Sequence, residues 1–260
     1  MMHSSRAGLW LILVTFVSLA LAWNITIPPY ENLDEIEHAE VIRHIAVTGR
    51  LPVHGEAEAA GFHVRQEASQ PPLYHLLGAA WVRLRGLPRE APDVRPIPAT
   101  FVACGSGDTL YNRVTWSRDP YTGFPPEGHR RTVYALRLLS TLLQCATVAG
   151  TWALARRLAP RGFVAPLATA VVAFNPQFLL LAAGVNNDNL VIPLATWALV
   201  LLVDVWQRGP TPTRLLGFGI LTGLAALSKL SGLGLLGLGG LTLLAYAWRQ
   251  RAPLTRLLRW

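Results

Sequence analysis

A chain of 260 residues that is 52% hydrophobic and only 15% charged, with a mean hydropathy of +0.34, is too apolar for an ordinary water-soluble domain; lipid must solvate much of it. The formal net charge of +8 does not point to nucleic acid, because the basic residues are mostly arginines beside apolar runs and Lys229 is the one lysine. Cys104 lies in a polar stretch and Cys145 in an apolar one, so they sit at different depths and are not expected to form a disulfide.

Crossing about 30 Å of hydrocarbon takes about 20 apolar residues in a helix, which satisfies its own backbone hydrogen bonds. Runs of that kind are read at residues 8–23, 132–155, 163–185, 190–206, 215–227 and 233–248. The fold class is therefore all-α: a polytopic transmembrane helical bundle of about six spans. Residues 1–260 form one membrane domain, with a long extracytoplasmic first loop at 24–131 carrying juxtamembrane helices and transmembrane helices at 132–248. The first run, with Arg6 before it and Ala20-Leu21-Ala22 near its end, also fits a cleavable signal peptide. Both readings leave the segment after Trp23 outside the cytoplasm.

After that span, Pro28 and Pro29 precede an acidic cluster that includes Glu31, Asp34, Glu35 and His38. On a continuous helix Asp34 and His38 stand at i and i+4 and share a face, with Glu31 one turn earlier. Such a face could hold a metal ion or a reacting hydroxyl; acids that simply favour the helix dipole are the structural alternative. The stretch 71–84 is apolar but short, opens on Pro71-Pro72 and ends at Arg83 and Arg85. We read it as an interfacial helix rather than a span. Residues 88–129 are rich in proline, glycine and polar residues and read as an irregular external loop.

In the second span Arg137 stands near the outer end, where snorkelling or a phosphate at headgroup depth would explain its charge. Arg156, Arg157 and Arg161 follow this span, Arg208 and Arg214 lie between the fourth and fifth, and Arg249, Arg251, Arg256 and Arg259 follow the last. By the positive-inside rule those connections are cytoplasmic. Asn186-Asn187-Asp188-Asn189 and the turn at Lys229 then face the other side, together with 24–131. Gly232, Gly234 and Gly237 spell GxGxxG but follow no strand, so they read as helix-packing glycines, as do Gly219 and Gly223 at GxxxG spacing. The histidines at 38, 44, 54, 63 and 75 lack a tight zinc spacing, and most are expected to be solvated.

The order of short motifs resembles the polytopic C-type (GT-C) glycosyltransferases, the superfamily of protein O-mannosyltransferases, aminoarabinose transferases and family-39-like membrane transferases. The motifs are Asp34-Glu35, Gly49-Arg50-Leu51-Pro52, Gln70-Pro71-Pro72-Leu73-Tyr74, Arg137-Leu138-Leu139-Ser140 and Gly223-Leu224-Ala225-Ala226-Leu227-Ser228-Lys229. Relatives commonly carry more helices, so the chain is expected to be an N-terminal portion or a reduced member.

The resemblance implies an enzyme of the cell envelope, a hexosyl- or pentosyltransferase in a bacterial inner or plasma membrane. It would move a sugar from a polyprenyl-phosphate donor to an acceptor hydroxyl on a lipid, glycan or protein at the extracytoplasmic face. Asp34 and Glu35 would be catalytic, with Asp34 as general base. Arg137 and Lys229 would bind the donor phosphate, and Asp188 and His38 would position substrate or hold a metal. The cofactor is not fixed by sequence beyond a divalent metal ion as a candidate; membrane lipids are partners and nucleic acid is not. A non-catalytic membrane protein of transport or envelope assembly is the alternative. It would place polar groups near the bilayer midplane, whereas Gln144, Asn175 and Gln177 are scattered.

Overall fold

The computed structural model describes residues 2–92, 94–96, 114–116 and 126–251. Cys104, Arg256, Arg259 and most of the 88–129 loop lie outside the described residues. The helices are α1 (Met2–Thr26), α2 (Glu35–Thr48), α3 (Glu56–Ala59), α4 (Leu73–Leu84), α5 (Gly128–Leu158), α6 (Val164–Ala173), α7 (Pro176–Ala182), α8 (Asp188–Arg208), α9 (Pro212–Ser228) and α10 (Gly234–Arg249). Single 3-10 turns at Arg65–Ser69 and Leu230–Leu233 join them. Two three-residue strands, β1 (Val94–Pro96) and β2 (Val114–Trp116), pair antiparallel.

The molecule is a helical membrane bundle. Among the described residues four helices are long and apolar enough to cross a bilayer: Ala7–Thr26, Gly128–Leu158, Asp188–Arg208 and Leu230–Arg249. The third expected span is broken into α6 and α7, which meet at 61°. Pro176 cannot donate to a continuing helix, and the Asn175 side chain accepts from the backbone N–H groups of Gln177 (2.9 Å) and Phe178 (3.3 Å), starting a new helix. Counting that pair as one span gives five, against the six read from sequence. The difference is α9, whose 17 residues rise about 25 Å, short of the roughly 30 Å core.

The chain divides into two compact units. The first comprises residues 1–18, 142–178 and 187–260. Its core is the packing of α8 on α9 and α10, where Val191, Ala198, Leu202, Phe218, Ala225 and Leu235 are buried together. Phe16 of α1 lies against Phe178 with ring centroids 5.5 Å apart. Of the glycines expected at helix contacts, Gly232 does sit tight: a side chain there would meet the backbone of Ala225 and Ala226. Gly219, Gly223, Gly234 and Gly237 have nothing within 4 Å of the added carbon, which corrects their reading as packing residues.

The second unit comprises residues 19–141 and 179–186. Gly49 takes φ +73° and ends α2 by donating its N–H to the Ile45 carbonyl (2.9 Å), a backbone state that suits glycine. Helix α4 starts at Leu73, directly after Pro71-Pro72. Its 12 residues cover about 18 Å, which rules out a complete crossing by that helix alone. Tyr74, His75, Gly78, Ala79 and Val82 form its buried face, with Gly78 against Ile42 of α2. From α4, Arg83 donates to the carbonyls of Ala46 (2.9 Å) and Ile45 (3.1 Å), which closes the last turn of α2.

Candidate functional site

The adjacent acids Asp34 and Glu35 take opposite environments in the second unit. Glu35 opens α2 and is 0% exposed. One of its oxygens accepts from Arg137 Nε (2.8 Å) and the Val185 N–H (3.0 Å), and the other from Arg137 Nη2 (2.6 Å) and the Tyr30 N–H (2.7 Å). The remaining N–H groups of Arg137 donate to the carbonyls of Asn24 (2.8 Å), Ile27 (2.7 Å) and Pro28 (2.9 Å). All five donors of the guanidinium are thus occupied and the side chain is fully buried. No N–H is left for a phosphate in this conformation. The charge that sequence placed at a lipid headgroup instead clamps the end of α1, the 27–35 loop, α2, α5 and the 183–186 segment.

Two of the short motifs meet beside this clamp. The Tyr74 hydroxyl lies 3.0 Å from Ser140 Oγ and accepts from the Asn186 N–H at 3.2 Å. Burial pushes the Tyr74 phenol well above its ordinary pKa, with Glu35 adding to the shift, so it stays protonated. The Tyr30 phenol is raised as well, first by burial and then by Glu40 and Glu35.

Asp34 is exposed and adopts φ +51°, the left-handed region, as the N-cap of α2. It makes no side-chain cap bond to that helix. The helix begins after it, so the continuous 31–38 helical face drawn from sequence does not exist. His38 turns away into the interior at 2% exposure. There its Nδ1 lies 2.9 Å from His75 Nε2 and 3.4 Å from a Glu67 carboxylate oxygen.

The two rings stack with centroids 5.2 Å apart, and one ligand-type atom from each of the three residues lies within 4.8 Å of the others. Burial lowers the His75 pKa to about 4, which keeps the ring neutral. Sequence reading treated most of the histidines as solvated, set His75 aside for want of a zinc spacing and did not weigh Glu67. The two histidines, 37 positions apart in sequence, meet only because α2 packs on α4.

In the first unit the polar turn and the lone lysine come together. Lys229 Nζ donates to Asp188 at 2.7 Å, with the two side chains 33% and 31% exposed. Asp188 is the first residue of α8, where a negative charge suits the helix dipole. Lys229 ends α9 in an extended conformation. Asn189 is buried and accepts from Gln144 Nε2 (3.0 Å), while Thr147 donates to Gln144 (2.7 Å). This unit also has an open apolar groove of about 460 Å³ lined by Leu154, Leu158, Leu202, Trp206 and Leu241, among others, with a surface suited to lipid.

In comparison with known proteins, residues 130–257 match the family model described as dolichyl-phosphate-mannose-protein mannosyltransferase. That match supports a GT-C-like membrane glycosyltransferase. No curated protein and no solved structure gives a match.

Proposed function

From the premise that residues 130–257 carry the likeness of a lipid-phosphate-dependent sugar transferase, we propose that the chain moves a sugar from a polyprenyl-phosphate donor to an acceptor hydroxyl at the extracytoplasmic face of the membrane. The acceptor oxygen attacks the anomeric carbon, the bond from that carbon to the phosphate oxygen breaks, and the polyprenyl phosphate leaves with the electron pair. Asp34 takes the acceptor proton, and the configuration at the anomeric carbon inverts. Mannose, the sugar in the family's description, is the first donor to test.

The observation that carries this assignment is the division between neighbours. Glu35 accepts four hydrogen bonds inside the protein, whereas Asp34 is exposed and meets the helix it caps through its backbone carbonyl, which accepts from the His38 N–H at 3.1 Å. A general base must reach an incoming hydroxyl, and of the two only Asp34 has that access. Lys229, a third exposed, is the proposed cation for the charge that develops on the departing phosphate, and Asp188 orients it. Glu35 and Arg137 then act as scaffold. The arginines at 156, 157, 161, 208, 214, 249 and 251 support the orientation.

The decisive measurement is transfer of radiolabelled sugar from a polyprenyl-phosphate donor by membranes carrying Asp34→Asn. Transfer is expected to fall about 10²- to 10⁴-fold at an unchanged amount of folded protein. Undiminished transfer would remove Asp34 from the reaction. If the unsubstituted chain neither binds the donor nor releases lipid phosphate, the non-catalytic alternative takes over.

A further inference from the structure

We propose that His38, Glu67 and His75 form a binding site for a divalent cation of the zinc type, built where α2, the 65–69 turn and α4 meet. The three side chains come from separate elements, and all are buried, at 2%, 4% and 0% exposure. Around a zinc ion with ligand distances of about 2.0–2.1 Å, tetrahedral neighbours stand about 3.3 Å apart. Here His38 Nδ1 lies 3.4 Å from the Glu67 oxygen and 2.9 Å from His75 Nε2. Opening the histidine pair by a few tenths of an ångström is the adjustment required.

Proton placement gives the second reason. His38 Nδ1 faces both an imidazole nitrogen and a carboxylate oxygen. A proton on Nδ1 can point at one of them and leaves the other facing it at poor angle. A proton on His75 Nε2 instead sets the His38 lone pair against the carboxylate. A cation satisfies all three at once, since each would present a lone pair to it. The His75 Nδ1 atom has no hydrogen-bond partner among the described residues, so this contact is the ring's one polar anchor.

Two imidazoles and one carboxylate select zinc or a similar borderline metal over calcium or magnesium, which prefer oxygen-rich shells. Three protein ligands also leave a fourth position for water. The ion would pin the buried face of α2, the helix whose N-cap is Asp34. Its role is thus positioning, with no step of the transfer passing through it.

The test uses the whole chain, purified in detergent with any affinity tag removed, stripped with chelator and titrated with Zn²⁺ or Co²⁺. One equivalent should bind, Co²⁺ should develop visible tetrahedral absorption, and Zn²⁺ should raise Tm. In Glu67→Gln and His75→Gln, affinity should fall by on the order of 100-fold and the Tm rise should vanish. No binding by the unsubstituted chain would overturn the proposal without reference to any variant. Equal binding by both variants would overturn it too. Neither sugar donor nor acceptor is present, so this outcome stands apart from that of the transfer assay.

Discussion

Two ion pairs, one in each unit, differ in what surrounds them. In the second unit Glu35 and Arg137 are both 0% exposed and joined by two hydrogen bonds, with the remaining capacity of each filled by backbone groups. In the first unit Asp188 and Lys229 share one contact and are each about one-third open to solvent. A buried charge stripped of its partner costs about 3–5 kcal/mol, whereas an exposed pair contributes about 0–1 kcal/mol. The first pair therefore holds shape. The second is cheap enough to open that an anionic ligand can compete for the lysine.

The largest effect expected from that contrast is Arg137→Met. It should destabilise the fold by about 3–5 kcal/mol, seen as lost monodisperse protein in detergent, with activity falling in proportion to folded material. If the variant folds normally and only donor KM rises, Arg137 returns to the phosphate role read from sequence. Next is Gly232→Ala, beside Lys229, whose carbonyl accepts the Gly232 N–H at 2.9 Å. Its added carbon would press on the Ala225–Ala226 backbone, lowering stability by about 1–3 kcal/mol and displacing the turn that presents the lysine.

Lys229→Ala itself should change stability by less than about 1 kcal/mol while raising donor KM or lowering kcat. Unaltered kinetics would make the Asp188 pair purely structural. The smallest effect belongs to Gly223→Ala on α9, where the space is open. It should be neutral or stabilise the helix by up to about 1 kcal/mol, and thermal melting of the two glycine variants compares them directly.

How much of this was legible depended on whether a signal was local. Most of the helix-length apolar runs and the proline start of α4 follow from neighbouring residues and appear where expected, and the glycine stop of α2 is equally local. The break at Asn175-Pro176 was also written locally, but a long apolar run masked it.

Partnerships across the fold were not legible. An arginine inside an apolar segment announces that it needs a counter-charge, yet nothing in its own neighbourhood says that Glu35, 102 residues away, supplies it rather than a ligand. Likewise, no spacing rule joins His38 to His75. The cluster at 31–38 misled for a different reason: a helical period was extended through Asp34, whose backbone is left-handed. Tyr74 and Ser140 were quoted as motif residues, and their meeting around the Asn186 N–H shows those motifs marking architecture.

The left-handed backbone at Asp34 sets which replacements can interrogate that position. Asparagine and glycine tolerate φ near +51°, while longer or β-branched side chains pay a conformational penalty there. A glutamate at this place keeps the acid yet perturbs the entry to α2, so an inactive Asp34→Glu variant would report on geometry as much as on chemistry. Asparagine, nearly isosteric and at ease in the same twist, isolates the loss of basicity. In a saturation library the residues that preserve expression should sort by tolerance of positive φ, and those that preserve turnover by proton affinity.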